Sequence, residues 1–147
     1  MRLGTTYICV NNLNKSLNFY RLLLNQEPLY CNEERWVTFD CGNYLSLYNK
    51  QFDLDFINNS DHLKHFNQSY LNNLKKEETE KINNIVVFNF EVDDLISSYE
   101  RIKKLELGEV SELFYVDIHI PYWYFTIKDP DGNEIEITGE YIKNNDG

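Results

Sequence analysis

The feature that most constrains this chain is an internal duplication. Near its start, "YICVNNLNKSLNFY" reads as a short apolar strand ending at Val10. A helix follows, with Leu13, Leu17, Tyr20 and Leu24 at helical spacing and Asn12 or Asn14 as the N-cap. Later, "VVFNFEVDDLISSYERIKKL" repeats that grammar: a strand ending at Val92, Asp93 or Asp94 as the cap, and Leu95, Tyr99, Ile102 and Leu105 along one helical face. The closing segments match more closely still. "CGNYLSL", from Cys41 to Leu47, aligns with "DGNEIEI", from Asp131 to Ile137, glycine on glycine and aliphatic on aliphatic. Between helix and closing strand each copy has room for two further strands, "EPLYCN" and "RWVTFD" in the first, "EVSELFYV" and "IHIPYWYFTIK" in the second. The pattern predicts an α+β protein of two βαβββ modules. The first covers residues 1–50 and the second 84–143, with a linker over 51–83, a short helix within it capped at Ser60, and a tail over 144–147.

A chain of 147 residues can hold one compact domain or two small modules sharing a core. Its 14 basic and 24 acidic residues give a net charge of -10, which repels phosphate backbones and anionic lipid surfaces and argues against a nucleic-acid or membrane partner. "MRLGTTYICV" does not resemble a signal peptide, and no apolar run approaches the roughly 20 residues of a membrane span, so the expected location is the cytoplasm. Cys9, Cys31 and Cys41 lack CxxC spacing and read as reduced structural thiols. Abundant Asn, Ile and Lys suggest an AT-rich bacterial genome.

The stretch "KDPDGNEIEI" combines a turn with a strand. Pro130 presets its backbone angle, Gly132 supplies permissive dihedrals, and Asp129 and Asp131 can satisfy local amides. In the strand, Ile135 and Ile137 share the face that can lie under a helix. Glu134 and Glu136 must therefore point the other way.

This order of elements, with "SLNFYRLLLNQEPLY", "EVDDL" and "KDPDGNEIEI" at matching places, resembles the vicinal oxygen chelate superfamily, which includes glyoxalase I, bleomycin-resistance proteins, fosfomycin-resistance enzymes and extradiol dioxygenases. The resemblance spans nearly the whole chain. It implies curved mixed sheets around an open cup that holds a ligand or metal, and a homodimer. Metal-dependent relatives place His or Gln on the first strand and Glu on the closing strand of each module. Carried onto this sequence, those positions are Thr5, Ser46, Val87 and Glu136, of which only Glu136 is a good ligand. The resemblance thus implies no metal cofactor. His62 and His65 share helical spacing in the linker, and His119 lies beside "IPYWYF".

Pleat parity turns Tyr7, Cys9, Asn89 and Glu91 into the implied cup, with Tyr44 and Tyr48 flanking Ser46 and with Trp36 and Thr38 as neighbours. On the "IPYWYFTIK" strand, either Tyr122 with Tyr124 or Trp123 with Phe125 faces in, and the tyrosines fit better because Phe125 and Ile127 suit a buried layer. The expected ligand-binding set is Tyr7, Trp36, Ser46, Tyr48, Asn89, Glu91, Tyr122, Tyr124, Glu134 and Glu136. Aromatic rings among carboxylates suit a small organic ligand that is flat or cationic, a cationic aromatic molecule included. The rival expectation is a glyoxalase-type lyase or isomerase, or a dioxygenase, using a divalent metal at Glu136. A third is an interaction module with a filled cup.

Overall fold

The computed structural model describes residues 4–59, 65, 66, 68, 86–116 and 121–142. The chain divides into two compact units, Met1–Lys81 and Ile82–Gly147. In the first, β1 (Thr6–Cys9) leads into α1 (Leu13–Leu24), followed by β2 (Tyr30–Asn32), β3 (Trp36–Asp40), β4 (Tyr44–Tyr48) and α2 (Lys50–Asn59). The strand order is β1-β4-β3-β2, with β1 parallel to β4 and the remaining pairs antiparallel. The second unit repeats this with β5 (Phe88–Asp94), α3 (Leu95–Leu105), β6 (Phe114–Val116), β7 (Tyr122–Lys128) and β8 (Glu134–Glu140), in the order β5-β8-β7-β6. Both sheets are open and mixed. The α+β architecture of two βαβββ modules that the sequence predicts is the one observed.

Both module helices start as their sequences dictate. The Asn12 side chain accepts from the Lys15 amide at 3.0 Å and that of Asp94 from the Ser97 amide at 3.1 Å, each satisfying a donor the helix leaves open. Both end on a left-handed residue, Asn25 and Glu106. The buried face of α1 is Leu13, Ser16, Phe19, Tyr20 and Leu23, rotated from the stripe through Leu17 and Leu24 that apolar spacing predicts. Ser16, fully buried, breaks the hydrophobic pattern in sequence although it lies at the centre of the face. In α3 the anticipated Leu95 and Ile102 are buried. β1 stops at Cys9, one residue before the expected Val10, whose amide still reaches the Tyr48 carbonyl at 2.9 Å. β5 continues past Val92 to Asp94 through a register shift.

Strand alternation sorts each sheet into two faces. Ile8, Val37, Phe39, Leu45 and Leu47 form the core beside α1, and Phe125, Ile127, Ile135 and Ile137 form that beside α3. Register is fixed by matching hairpin turns. Gly42 and Gly132 hold φ of 94° and 82°, a region open to glycine and costly for side chains bearing a Cβ. In the second turn the buried Asp129 accepts from the Asp131 amide (2.9 Å), the Asn133 amide (2.8 Å) and the Asn133 side chain (2.9 Å). The Asp129→Ala variant therefore strands several donors. It is expected to lose about 2 kcal/mol of unfolding free energy, read as a lower urea midpoint at unchanged slope.

Candidate functional site

Each module pairs its first strand in parallel with its last, and the resulting register brings the outward-facing side chains into rows. In the first unit one row is Tyr7, Ser46, Thr38 and Tyr30, and the next is Cys9, Tyr48, Trp36 and Asn32. The rings of Tyr7, Trp36 and Tyr48 form a mutually touching cluster, with centroids 5.3, 6.0 and 6.2 Å apart. Tyr7 is 54% exposed, so the cluster presents an aromatic surface to solvent.

Beneath the rings runs a chain of hydroxyls. The Trp36 indole donates to Thr38 Oγ1 at 2.8 Å, Thr38 Oγ1 lies 2.8 Å from Ser46 Oγ, and Ser46 Oγ lies 2.9 Å from Thr5 Oγ1. An indole N–H can only donate. The direction that satisfies every group then passes from Trp36 through Thr38 and Ser46 to Thr5, which donates to the Tyr44 carbonyl at 3.1 Å. Thr38 and Ser46 are buried, where an unmade bond would be costly.

α2 adds a second polar cluster. Fully buried Asp53 accepts Arg35 Nε at 2.6 Å and Arg35 Nη2 at 2.9 Å, and it accepts the Tyr48 hydroxyl at 2.7 Å. The Arg35 guanidinium lies 5.2 Å from the Tyr48 ring centre.

In the second unit the corresponding rows are Asn89, Glu136 and Thr126, then Glu91, Thr138, Tyr124 and Phe114. Asn89 Nδ2 donates to Glu136 Oε1 at 2.8 Å. Tyr124 stacks on Tyr122 at 5.8 Å and meets Phe114 at 5.2 Å. Trp123 belongs to the opposite face, stacked on Tyr141 at 4.4 Å, while Phe125 is buried. Glu134 and Glu91 are exposed and Glu136 is half-buried. Glu134 pairs in register with Lys128, whose ammonium reaches Glu109 at 3.1 Å.

The anticipated residues thus fall into two groups, each within its own unit. Tyr7, Trp36, Ser46 and Tyr48 lie together on the first sheet. Asn89, Glu91, Tyr122, Tyr124, Glu134 and Glu136 share one face of the second. Ser46 is buried beneath the rings and cannot itself be a surface contact. Asp53 and Arg35 carry no signal in the sequence: Asp53 falls in the expected linker and Arg35 at the turn before β3, and neither charge belongs to a periodic pattern. His65 is exposed and meets Phe56 edge-on at 5.0 Å, whereas His62, His119 and the Ser60 cap lie outside the described residues.

In each unit, the two positions at which the family resemblance implies metal ligands offer poor donors. In the first unit Thr5 and Ser46 spend their hydroxyls on each other and on Thr38 and Tyr44. In the second, Val87 has no donor atom and Glu136 supplies one carboxylate already bonded to Asn89. Neutral hydroxyls and a valine do not fit a divalent ion that favours imidazole and carboxylate. Among the described residues no group of three or more His, Cys, Asp or Glu could hold a metal.

A family model described as "Glyoxalase/Bleomycin resistance protein/Dioxygenase superfamily" matches residues 2–137. Comparison with curated protein sequences returned no match. Among solved structures, a lactoylglutathione lyase from Agrobacterium tumefaciens is similar at 20% identity and a TM-score of 0.59, over 94% of this chain and 92% of that one. A glyoxalase-related enzyme from Fulvimarina pelagi is similar at 14% identity and a TM-score of 0.61, over 95% and 88% of the respective chains. A glyoxalase/bleomycin resistance protein from Catenulispora acidiphila is similar at 16% identity and a TM-score of 0.56, over 94% and 99%. At such identities these likenesses establish the fold.

The hydroxyl chain has a direct test. The Ser46→Ala variant removes its middle link and strands Thr38 and Thr5, so chemical denaturation should show a loss of about 1–3 kcal/mol. A variant as stable as the parent would show that the chain contributes nothing.

Proposed function

Because the chain belongs to the glyoxalase/bleomycin resistance protein/dioxygenase superfamily, we propose that it binds a small organic ligand without a metal, in the manner of a sequestering protein. The observation that carries this reading is the mismatch at the chelating positions: internally bonded hydroxyls at Thr5 and Ser46, an aliphatic side chain at Val87, and one carboxylate at Glu136. Each unit's own face carries groups that bind organic molecules. On the first, the exposed ring of Tyr7 offers stacking; on the second, the exposed ring of Tyr122 offers stacking and Glu91, Glu134 and Glu136 offer charge pairing. A planar aromatic cation suits both features, through ring stacking, cation–π attraction and the carboxylates. Phosphonates and other anions are disfavoured by the same charges. Trp36 and Tyr48 complete the proposed contact surface of the first unit, with Ser46 supporting it from beneath, and Asn89 and Tyr124 complete that of the second.

One observation favours a second reading. Glu136 Oε2 has no hydrogen-bond partner among the described residues, so this oxygen is available to a proton or an ion. In a glyoxalase-type lyase, isomerase or dioxygenase, that carboxylate would act with a divalent metal. Metal-supported turnover of a hemithioacetal or catechol that disappears in Glu136→Gln would favour this alternative.

No helix among the described residues is long and apolar enough to cross a membrane. A cytoplasmic location, and the homodimer that the family resemblance implies, are part of the proposal, and sedimentation giving only monomer would remove the dimer.

A thermal-shift series tests the binding reading. Planar aromatic cations at about a hundredfold excess over Kd should raise the melting midpoint by roughly 5–10 °C. Matched anions should leave it unchanged. Replacing Glu91 and Glu136 by Gln together should weaken cation binding at least about tenfold, the scale of a lost charge pair of about 1.4 kcal/mol. Equal shifts with anions and cations, or none with either, would count against the proposal.

A further inference from the structure

The side chain that organises the aromatic surface of the first unit lies outside the β-strands of that unit. We propose that Asp53, on α2, is a positioning residue for the Tyr7–Trp36–Tyr48 surface and thereby sets what that surface recognises. This rests on the binding reading above for its ligand and on geometry alone for its mechanism.

Three bonds converge on the buried carboxylate: Arg35 Nε at 2.6 Å, Arg35 Nη2 at 2.9 Å and the Tyr48 hydroxyl at 2.7 Å. A tyrosine ring held at its Cβ by the strand and at its para oxygen by a carboxylate cannot swing on χ1. The same carboxylate holds the guanidinium near the ring, 5.2 Å from its centre. A bidentate Arg–carboxylate pair fixes orientation as well as distance. Trp36, 6.0 Å from Tyr48, is tied separately by its indole N–H to Thr38 at 2.8 Å. Two of the three rings are therefore pinned at both ends, and their only N–H and O–H hydrogens are committed within the protein.

Tyr7 differs. It touches Trp36 and Tyr48 through its ring, its hydroxyl has no hydrogen-bond partner among the described residues, and it is 54% exposed. The surface thus offers rigid π-faces and one uncommitted hydroxyl. Arg35 and Asp53 cancel each other's charge, so recognition here depends on ring shape rather than on net charge. The ligand class that fits is a planar aromatic ring with a single polar substituent that can meet Tyr7.

The test uses the full chain in a Trp123→Phe background, which leaves Trp36 as its only tryptophan. Acrylamide quenching of Trp36 reads the packing of the surface without ligand, and titration with 9-aminoacridinium, a planar ring with one polar substituent, reads binding. Asp53→Asn is expected to raise the quenching constant at least twofold and weaken acridinium at least tenfold, with native far-UV circular dichroism. Tyr48→Phe, which leaves the Arg35–Asp53 pair in place, is expected to give a smaller change in the same direction in both readouts. If Asp53→Asn fails to fold, Tyr48→Phe decides. Unchanged quenching in the folded variants overturns the proposal whether or not acridinium binds. Raised quenching in a parent background that binds no acridinium upholds the positioning role and removes the ligand assignment.

Discussion

The parallel pairing of first and last strands within each module is the constraint from which the remaining structure follows. β1 cannot reach β4 in parallel through a hairpin, so the chain must cross over, and the crossover helix covers one side of the sheet. Pleating then sends alternate residues to opposite sides. Ile8, Leu45 and Leu47 go beneath α1, while Tyr7, Ser46 and Tyr48 go the other way. In the second module the same rule buries Ile135 and Ile137 and turns Glu134 and Glu136 outward. Each sheet thereby gains one face committed to its core and one on which residue type can change without loss of the fold.

The two outward faces have been used differently. In the first module aromatic rings lie over a line of hydroxyls, and the polar atoms satisfy one another. In the second, carboxylates predominate and an asparagine braces Glu136. The polar chain of the first module is consistent with burial because each donor finds an acceptor. A half-complete version would cost more than an apolar layer. Thr5 and Ser46 are thus better understood as members of that chain than as degraded ligands.

Much of this was legible in the sequence, for reasons that can be stated by residue. The two modules were visible because strand and helix periods differ and because "CGNYLSL" and "DGNEIEI" carry the same turn and parity. Facing directions on β1, β5 and β8 followed from which aliphatics needed burial. The buried face of α1 departs from the apolar stripe because Ser16 occupies its centre, and burial of a serine depends on close approach that periodicity does not encode. Asp53 was not legible either. Its importance comes from meeting Arg35, 18 positions away in the turn before β3, and Tyr48, 5 positions away on β4. Pairings of that kind depend on tertiary placement.

We propose that Thr5, Ser46, Val87 and Glu136 hold no divalent metal and that the outward face of each module suits an organic ligand. Native mass spectrometry of the full chain, equilibrated with nickel, zinc, manganese or ferrous iron and then desalted, addresses it most directly. The expected result is a mass free of stoichiometric metal with every ion. One tightly held ion per chain, lost in Glu136→Gln, would contradict it.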